Sequence, residues 1–275
     1  MARQNSLDVT NLTLTGPGAD GVIGTGGDDV EYDLLADTMR ATLTLDNVLV
    51  DVAGATSLNA VNEGQAAGAT LEIVTKSSAT NAVKAQDLTV FTIGGTTYLA
   101  DLRSFTLNQQ CTHDEGKGAA SKWLEPVVTG VDYTGSVELL LDNAATNALQ
   151  VLGFGTDAAT ALDVALAFTL NTVAFSFPMA LRSSQWSMDR KQLQRLNVEF
   201  SGNGAESVNT GTATLLAAAI NDPRVALFAE LTTSAANGRS WEGTFVHDSV
   251  SVSIQDQNIV ETTFRLRSQG AVALA

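Results

Sequence analysis

Two histidines are the residues of this chain whose type and neighbours could support catalysis or metal binding. His113 is followed by Asp114 and Glu115, and His247 is followed by Asp248. A metal site needs three or four ligands in fixed geometry, and a hydrolase triad needs a nucleophile elbow. Neither histidine has another histidine near it in sequence, and no Gly-x-Ser-x-Gly motif is present. We therefore expect no catalytic and no metal-binding residues.

Phosphate and cofactor motifs give the same expectation. The chain has no Gly-x-x-x-x-Gly-Lys-Ser/Thr loop and no Gly-x-Gly-x-x-Gly between a strand and a helix, so no cofactor is expected. Asp20, Asp28 and Asp29 lie in a glycine-rich stretch and could surround a cation. Their spacing departs from the calcium loop of EF-hands, and a solvated turn region is the preferred interpretation.

Charge and composition exclude several classes of protein. The chain has 15 basic and 30 acidic residues, a net charge of −15, which argues against a surface that grips nucleic acid. No apolar run approaches the length of a membrane span, so no membrane partner is expected. Cys111 is the single cysteine, which excludes an internal disulfide. The N-terminus resembles no signal peptide, and we expect synthesis and retention in a cytoplasm.

The stretch from Thr97 to Asp142 organises the interpretation of the chain. Two runs with alternating apolar residues predict strands, and a charged, glycine-containing loop from His113 to Lys122 separates them. Long loops in compact domains are usually functional or disordered. Trp123 at the end of the loop adds apolar surface that another chain could cover.

The rest of the chain is predicted to be mainly β. Short alternating runs bounded by glycine and polar turns recur throughout, without any long helical periodicity. Two short helices are expected. One begins at Asp142 or Asn143 and ends at Leu152, and the other spans Thr212–Ile220.

An internal repeat follows the two predicted helices. Each helix is followed by three predicted strands, and one constant offset relates Trp186 to Val252, Leu193 to Ile259 and Gly204 to Gly270. We divide the chain into an N-terminal β-rich segment (1–87), a central β domain (88–205) and a C-terminal unit that repeats helix plus three strands (206–275). The N-terminal segment either contacts other subunits or belongs to a second unit. Compositional similarity between hairpins is the alternative explanation of the repeat.

The order of these elements resembles the major tail tube protein of tailed bacteriophages and the inner-tube proteins of contractile injection systems. The shared features are the long arm between strands, the strand ending Gly135–Leu139, a short helix, and the hairpin ending Val198–Gly204. The resemblance covers residues 88–205 and, as a second copy of the later half, 206–272. The extra unit and residues 1–87 depart from the family pattern.

The resemblance implies a β-sandwich or half-barrel with one or two flanking helices. In this family, hairpins of ring-forming subunits join into a β-barrel that lines a channel, and long loops stack the rings. The implied stacking arm comprises Cys111, His113, Asp114, Glu115, Lys117, Lys122 and Trp123. The implied lumen-lining hairpin residues are Ser187, Asp189, Arg190, Lys191, Gln192, Gln194, Ser249, Ser251, Ser253 and Asp256. Any solvent-facing sheet would show similar small hydroxyl residues.

The expected function is therefore structural and not enzymatic: stacked rings that form the tail tube of a virion. The implied partners are other copies of this chain, the tape measure protein, tail terminator and tail tip proteins, and double-stranded DNA in the lumen. The ring is either a hexamer or a trimer with two tube-like units per chain. A head or decoration protein and a carbohydrate-binding β-sandwich are the alternatives. Under the carbohydrate alternative Trp123, Trp186 and Trp241 would bind sugar, whereas tryptophans in alternating strands usually lie in the core.

Overall fold

The computed structural model confirms a mainly β fold, with the strands hydrogen-bonded into one 16-stranded sheet. The structure describes residues 9–25, 27–36, 38–49, 65–76, 88–116, 125–141, 164–170, 173–187, 194–204, 206–208, 214–233, 240–255 and 260–274. Every strand pairing between these residues is antiparallel. No helix in the described ranges is long and apolar enough to cross a membrane.

Sixteen strands and one helix follow in chain order. The first eight strands are β1 (Val9–Gly16), β2 (Val30–Asp33), β3 (Thr38–Leu49), β4 (Gln65–Lys76), β5 (Leu88–Ile93), β6 (Thr96–Thr97), β7 (Leu102–Gly116) and β8 (Glu125–Leu141). The others are β9 (Val164–Leu170), β10 (Val173–Ser187), β11 (Gln194–Gly202), β12 (Ser207–Val208), α1 (Leu215–Asn221), β13 (Leu227–Thr233), β14 (Ser240–Gln255), β15 (Glu261–Ser268) and β16 (Val272–Leu274).

The pairing register of the later strands repeats at the offset found in the sequence. In the β10–β11 hairpin Met179 lies opposite Gly202, and in the β14–β15 hairpin Phe245 lies opposite Ser268. Both hairpins carry a β-bulge at the equivalent place, before Ser183 in one and before Ser249 in the other. The pairing of β12 with β10 recurs, with the same offset, as that of β16 with β14. The sequence repeat is therefore present in the backbone pairing.

The first half of the chain repeats in the same way, which the sequence did not indicate. Thr38 lies opposite Thr75 in the β3–β4 pair, just as Leu102 lies opposite Leu139 in the β7–β8 pair. Each of these pairs is followed by a bulge. Strands β1 and β5 also correspond, since Leu14 pairs with Ala229 of β13 as Ile93 pairs with Leu166 of β9.

The two repeated units are nested rather than consecutive. The second unit is the continuous segment β5–β12. The first unit consists of β1–β4 together with α1 and β13–β16, because β1 pairs with β13 and β4 pairs with β15. The described part of residues 1–87 thus forms one unit with the C-terminal segment, and the second unit lies between these two parts in sequence.

Each unit places two layers of strands around a common core. In the second unit Phe105 of β7 meets Phe91 of β5 and Phe168 of β9, with ring centroids 5.3 and 5.1 Å apart. Most buried apolar side chains of both units belong to one continuous hydrophobic cluster. Helix α1, predicted at Thr212–Ile220, is confirmed and capped by the Thr214 hydroxyl, which accepts the amide of Ala217 at 3.1 Å. The helix predicted to end at Leu152 lies outside the described residues.

The prediction that a loop begins at His113 is wrong for residues 113–116. Strand β7 continues through His113 to Gly116 and pairs with β8, which begins at Glu125, so residues 113–116 belong to an antiparallel strand pair. The charged residues that suggested a loop are compatible with a strand because they meet charged partners on neighbouring strands, as described below.

At Gly135 of β8, a small residue is compensated by a large one on the neighbouring strand, and the equivalent pair of the other unit divides the side-chain volume differently. A Cβ atom there would overlap the carbonyl oxygen of Thr106 and the ring of Phe200, the residue directly opposite on β11. In the first unit the equivalent pair is Leu71 and Leu266. One unit therefore combines a large ring with glycine, and the other combines two side chains of intermediate size.

Replacing Gly135 with alanine is expected to destabilise the protein by about 2 kcal/mol, because overfilling a packed core forces neighbouring atoms to move. The additional substitution Phe200→Leu is expected to recover part of this loss by vacating the space. Urea unfolding of the purified variants measures both effects.

Gly130→Ala is the matched control. A Cβ at Gly130 would make ordinary contact with Thr112 at 3.7 Å, and the equivalent residue of the first unit is Ala66. This change should stay within about 1 kcal/mol of the parent. Equal losses for both alanine variants would contradict the packing argument.

Candidate assembly interface

Eight strands form a continuous run across both units. Their order is β10-β11-β8-β7-β14-β15-β4-β3, and we call it the inner run. Four strands come from each unit. The pairing of β7 with β14 joins the halves over seven residue pairs, from Gln110 opposite Ser249 to Ser104 opposite Gln255. This central joint is thus a strand pairing between two structurally equivalent units.

The two ends of the inner run lack a second neighbour. Within the described ranges β3 pairs only with β4, and residues 180–187 of β10 pair only with β11. Unpaired edges expose backbone N–H and C=O groups that can pair with another chain. These ends are equivalent to β7 and β14, the strands that pair at the central joint.

Exposure differs between the central joint and the open ends. Val252 in the central joint is 1% exposed, whereas Trp186, its equivalent in β10, is 40% exposed. The expectation that Trp186 lies in the core is therefore wrong for the single chain, because its strand has no neighbour on that side. Trp241 is half-buried and packs against the core.

Side chains alternate between the core and a polar face along the inner run. Val250, Val252 and Ile254 of β14 are buried, and the predicted lumen residues Ser249, Ser251 and Ser253 lie on the opposite face. We call this opposite face the polar face. Ser251 donates a hydrogen bond to Asn108 of β7 at 2.7 Å, so hydroxyl and amide groups continue across the central joint.

Other predicted lumen residues divide between several places. Ser187 is exposed at the end of β10, whereas Gln194 shares the core-facing side of β11 with buried Leu196. The remaining predicted lumen residues lie outside the described residues: Asp189, Arg190, Lys191, Gln192 and Asp256.

Four arginines of the inner run pair with carboxylates of the same chain. Arg40 meets Glu72 at 2.8 Å, and Arg195 meets Glu138 at 3.1 Å. Arg265 meets Asp248 at 3.3 Å, and Arg267 also contacts Glu115. Cross-strand pairs of opposite charge neutralise each other locally, so these arginines do not form a positive stripe despite their position among small polar residues.

The base of the predicted stacking arm is fastened to the first unit. The His113 side chain is 6% exposed, and its Nε2 lies 3.3 Å from a carboxylate oxygen of Asp248. Cys111 packs with Val128 of β8 and Val246 of β14 in a small apolar cluster. Burial, reinforced by the charge of Asp248, raises the pKa of the Cys111 thiol to about 11.

The residues predicted to form the stacking arm differ in burial. Cys111 and the His113 side chain are buried within the subunit. Asp114 and Glu115 are exposed, and Glu115 is held by Arg267. Lys117, Lys122 and Trp123 lie outside the described residues.

Helix α1 links the units through two buried polar residues that sequence analysis did not single out. The Gln109 amide of β7 donates to the carbonyl of Ala219 at 3.2 Å, and the Tyr133 hydroxyl of β8 donates to that of Ile220 at 3.4 Å. The last carbonyls of a helix lack partners within it. Burial raises the pKa of Tyr133, which keeps its hydroxyl protonated as a donor. The sequence does carry a signal for these two residues, since each is a polar side chain at a core position of an alternating strand.

The two histidines lie in different surroundings. His247 points into the core and is 1% exposed, whereas Asp248 faces His113. Asp20, Asp28 and Asp29 each accept a backbone N–H of their own loop, from Val22, Ala19 and Gly24. In the part of the chain that the structure describes, no group of three or more His, Cys, Asp and Glu side chains is placed to hold a metal ion.

Comparisons with known proteins give similarity to virion structures. No protein-family model matches the chain, and no curated protein matches it. A chain from the virion of a native gene transfer agent particle is similar at 13% identity, with a TM-score of 0.37, over 46% of this chain and 97% of that chain. A chain from the tail of an empty gene transfer agent particle, refined with C6 symmetry, is similar at 15% identity over the same shares, again with a TM-score of 0.37.

His247 is expected to make stability depend on pH. Burial lowers its pKa from 6.5 to about 4, so the folded chain binds this proton less readily than the unfolded chain. The contribution of neutral His247 to the free energy of unfolding is present above pH 6.5 and is lost as the pH falls towards 4. The loss between pH 7.5 and pH 5 is about 2 kcal/mol. Urea unfolding at these two pH values measures the loss.

His247→Leu is the matched variant, because Leu181 occupies the equivalent position in the second unit. Leucine cannot bind the proton, so the variant should lose about 2 kcal/mol less than the parent over the same pH interval. If parent and variant lost stability equally, protonation of His247 would not be the cause.

Proposed function

We propose that this chain is a non-enzymatic structural subunit of a phage-type tail tube, and that three copies form each ring. The observation that carries the proposal is the inner run, in which two equivalent four-stranded halves pair at the centre and leave an equivalent strand open at each end. Because each open strand matches one partner of the central joint, copies of the chain can continue the same sheet. The ring and the channel are inferred from the resemblance of the element order to that of tail tube proteins.

Edge pairing provides the driving force for assembly. An unpaired strand of this length is a hazard for uncontrolled association, and closure into a ring removes every edge. Each chain contributes two tube-like units, so a ring of six units needs three chains. The half-buried Leu43 of β3 and the exposed Trp186 of β10 would gain burial in that ring.

The polar face of the inner run is assigned to the lumen. Its hydroxyl and amide groups keep it wettable, and carboxylates of the same chain pair with Arg40, Arg195, Arg265 and Arg267. A wall without a positive stripe gives passing double-stranded DNA few phosphate contacts, which are the main source of its attraction to proteins. The acidic chain, at −15, favours the same outcome. The tape measure protein would occupy this lumen before DNA does.

The distal end of the β7–β8 hairpin is assigned to stacking between rings. Its base is fixed by Asp248 and Arg267, so the hairpin is held in one direction relative to the inner run. Tail terminator and tail tip proteins would meet the first and last rings of such a stack.

Electron microscopy of the purified protein tests the proposed function. We expect rings or tubes with six similar units per ring, built from three chains, and a mass of three chains per ring by native mass spectrometry. Monomers that bind glycans would support a carbohydrate-binding sandwich, and closed shells would support a head protein. Either result contradicts the proposal.

Shortening the arm separates ring formation from stacking. Residues 117–124 are replaced by Asn-Gly, a two-residue turn that suits an antiparallel hairpin, while Gly116 and Glu125 remain paired. We expect rings that form as in the parent but tubes that are at least about tenfold fewer in electron micrographs, because the inter-ring contact would be lost. Replacing 94–95, the Gly-Gly turn between β5 and β6, with the same Asn-Gly sequence serves as the control. An unchanged number of tubes for the variant with the shortened arm would contradict its stacking role.

A further inference from the structure

We propose that β3 of one chain pairs with β10 of the next chain in the same register as β7 pairs with β14 within the chain. This inference rests on the proposed ring and names the residues of its junction. The partner is a second copy of this chain. Each chain offers one β3 edge and one β10 edge, so the contact is head-to-tail, and repetition closes a ring.

The correspondence between equivalent strands follows from the structural repeat. Strand β3 corresponds to β7, with Thr38 equivalent to Leu102. Strand β10 corresponds to β14, with Met179 equivalent to Phe245. The bulges recur at equivalent places, so the correspondence holds residue by residue over the paired segments.

The register of the junction follows from this correspondence. In the central joint Thr106 lies opposite Ser253 and Asn108 lies opposite Ser251. Replacing each of these residues by its equivalent places Thr42 opposite Ser187 and Thr44 opposite Gln185.

These two predicted pairs lie on the polar face. Thr42 and Thr44 are exposed on β3, and Gln185 and Ser187 are exposed on β10. The Ser251–Asn108 hydrogen bond of 2.7 Å in the central joint has a counterpart in Gln185 and Thr44, which also combine a hydroxyl with an amide. The junction would therefore continue the polar face from one chain to the next.

The core side of the junction is complementary in a second way. In the central joint Val252 lies opposite Leu107, and each is 1% exposed. The equivalent residues at the junction are Trp186, which is 40% exposed, and Leu43, which is half-buried. These two incompletely buried apolar side chains would face each other in the proposed register. Contact between them would remove apolar surface of both from water.

Cysteine pairs test the register directly. The variants T42C/S187C and T44C/Q185C place thiols on the same face of directly opposite residues, where Cβ atoms come within about 5 Å. Cys111 is buried and its pKa is raised to about 11, so it contributes little background. After mild oxidation of assembled rings, we expect a ladder of two and three linked chains on a non-reducing gel. The ladder should stop at three.

T42C/S183C is the matched control, since it uses the same exposed strands but is out of register by two full side-chain alternations. Disulfides do not form when Cα atoms are more than about 7 Å apart, so we expect on the order of tenfold less linked protein than for the in-register pairs. Each single-cysteine variant should remain unlinked.

The outcomes separate this inference from the proposed function. Rings whose in-register variants link no better than T42C/S183C would overturn the register while leaving the ring intact. A ladder that continues beyond three chains would support the register but contradict the three-chain ring. Protein that never assembles under conditions in which it is folded would contradict the proposed function and, with it, the junction.

Discussion

The unsatisfied backbone of a sheet edge is the constraint on which this architecture depends. Each four-stranded half of the inner run has two edges, and backbone N–H and C=O groups left there favour association with any other strand. The central joint satisfies one edge of each half within the chain, through seven residue pairs between β7 and β14. The same constraint then acts on β3 and β10, the edges that remain. A chain containing both units thus keeps half of the edge-pairing inside itself.

The nested order of the units has consequences for how the chain can fold. The second unit forms from a continuous segment, whereas Leu71 and Leu266 of the first unit pair although the whole second unit lies between them in sequence. Contacts so distant in sequence carry a larger entropic cost and form slowly. Formation of the second unit shortens this distance, because it brings the ends of its own segment into one compact body. Gln109 and Tyr133 then offer fixed hydrogen-bond partners to α1, the first element of the returning segment.

The sequence predicted the strands and the later half of the repeat because both depend on alternation and spacing. It left open whether residues 1–87 contact other subunits or belong to a second unit, and it did not show that the β3–β4 and β7–β8 pairs are equivalent. The reason lies in compensating exchanges: Gly135 and Phe200 correspond to Leu71 and Leu266, so the fold is kept while residue identity is lost. The strand through His113 was missed because its partner Asp248 is distant in sequence. Trp186 was misassigned because its part of β10 has a paired neighbour on one side only in the described ranges, which alternation along a sequence does not reveal.

Duplication within one chain also permits the central joint and the open edges to differ. Asp248 lies at the bulge of β14 and pairs with Arg265, whereas the equivalent positions of the second unit carry Arg182 and Glu199, with the charges reversed. The central joint forms between segments of one molecule, at an effective concentration far above that of free chains. In the proposed ring, only the junction between β3 and β10 would depend on protein concentration. Such a ring of six units would need three concentration-dependent contacts rather than six, and residues at the open edges could weaken or strengthen assembly without altering the stability of the subunit.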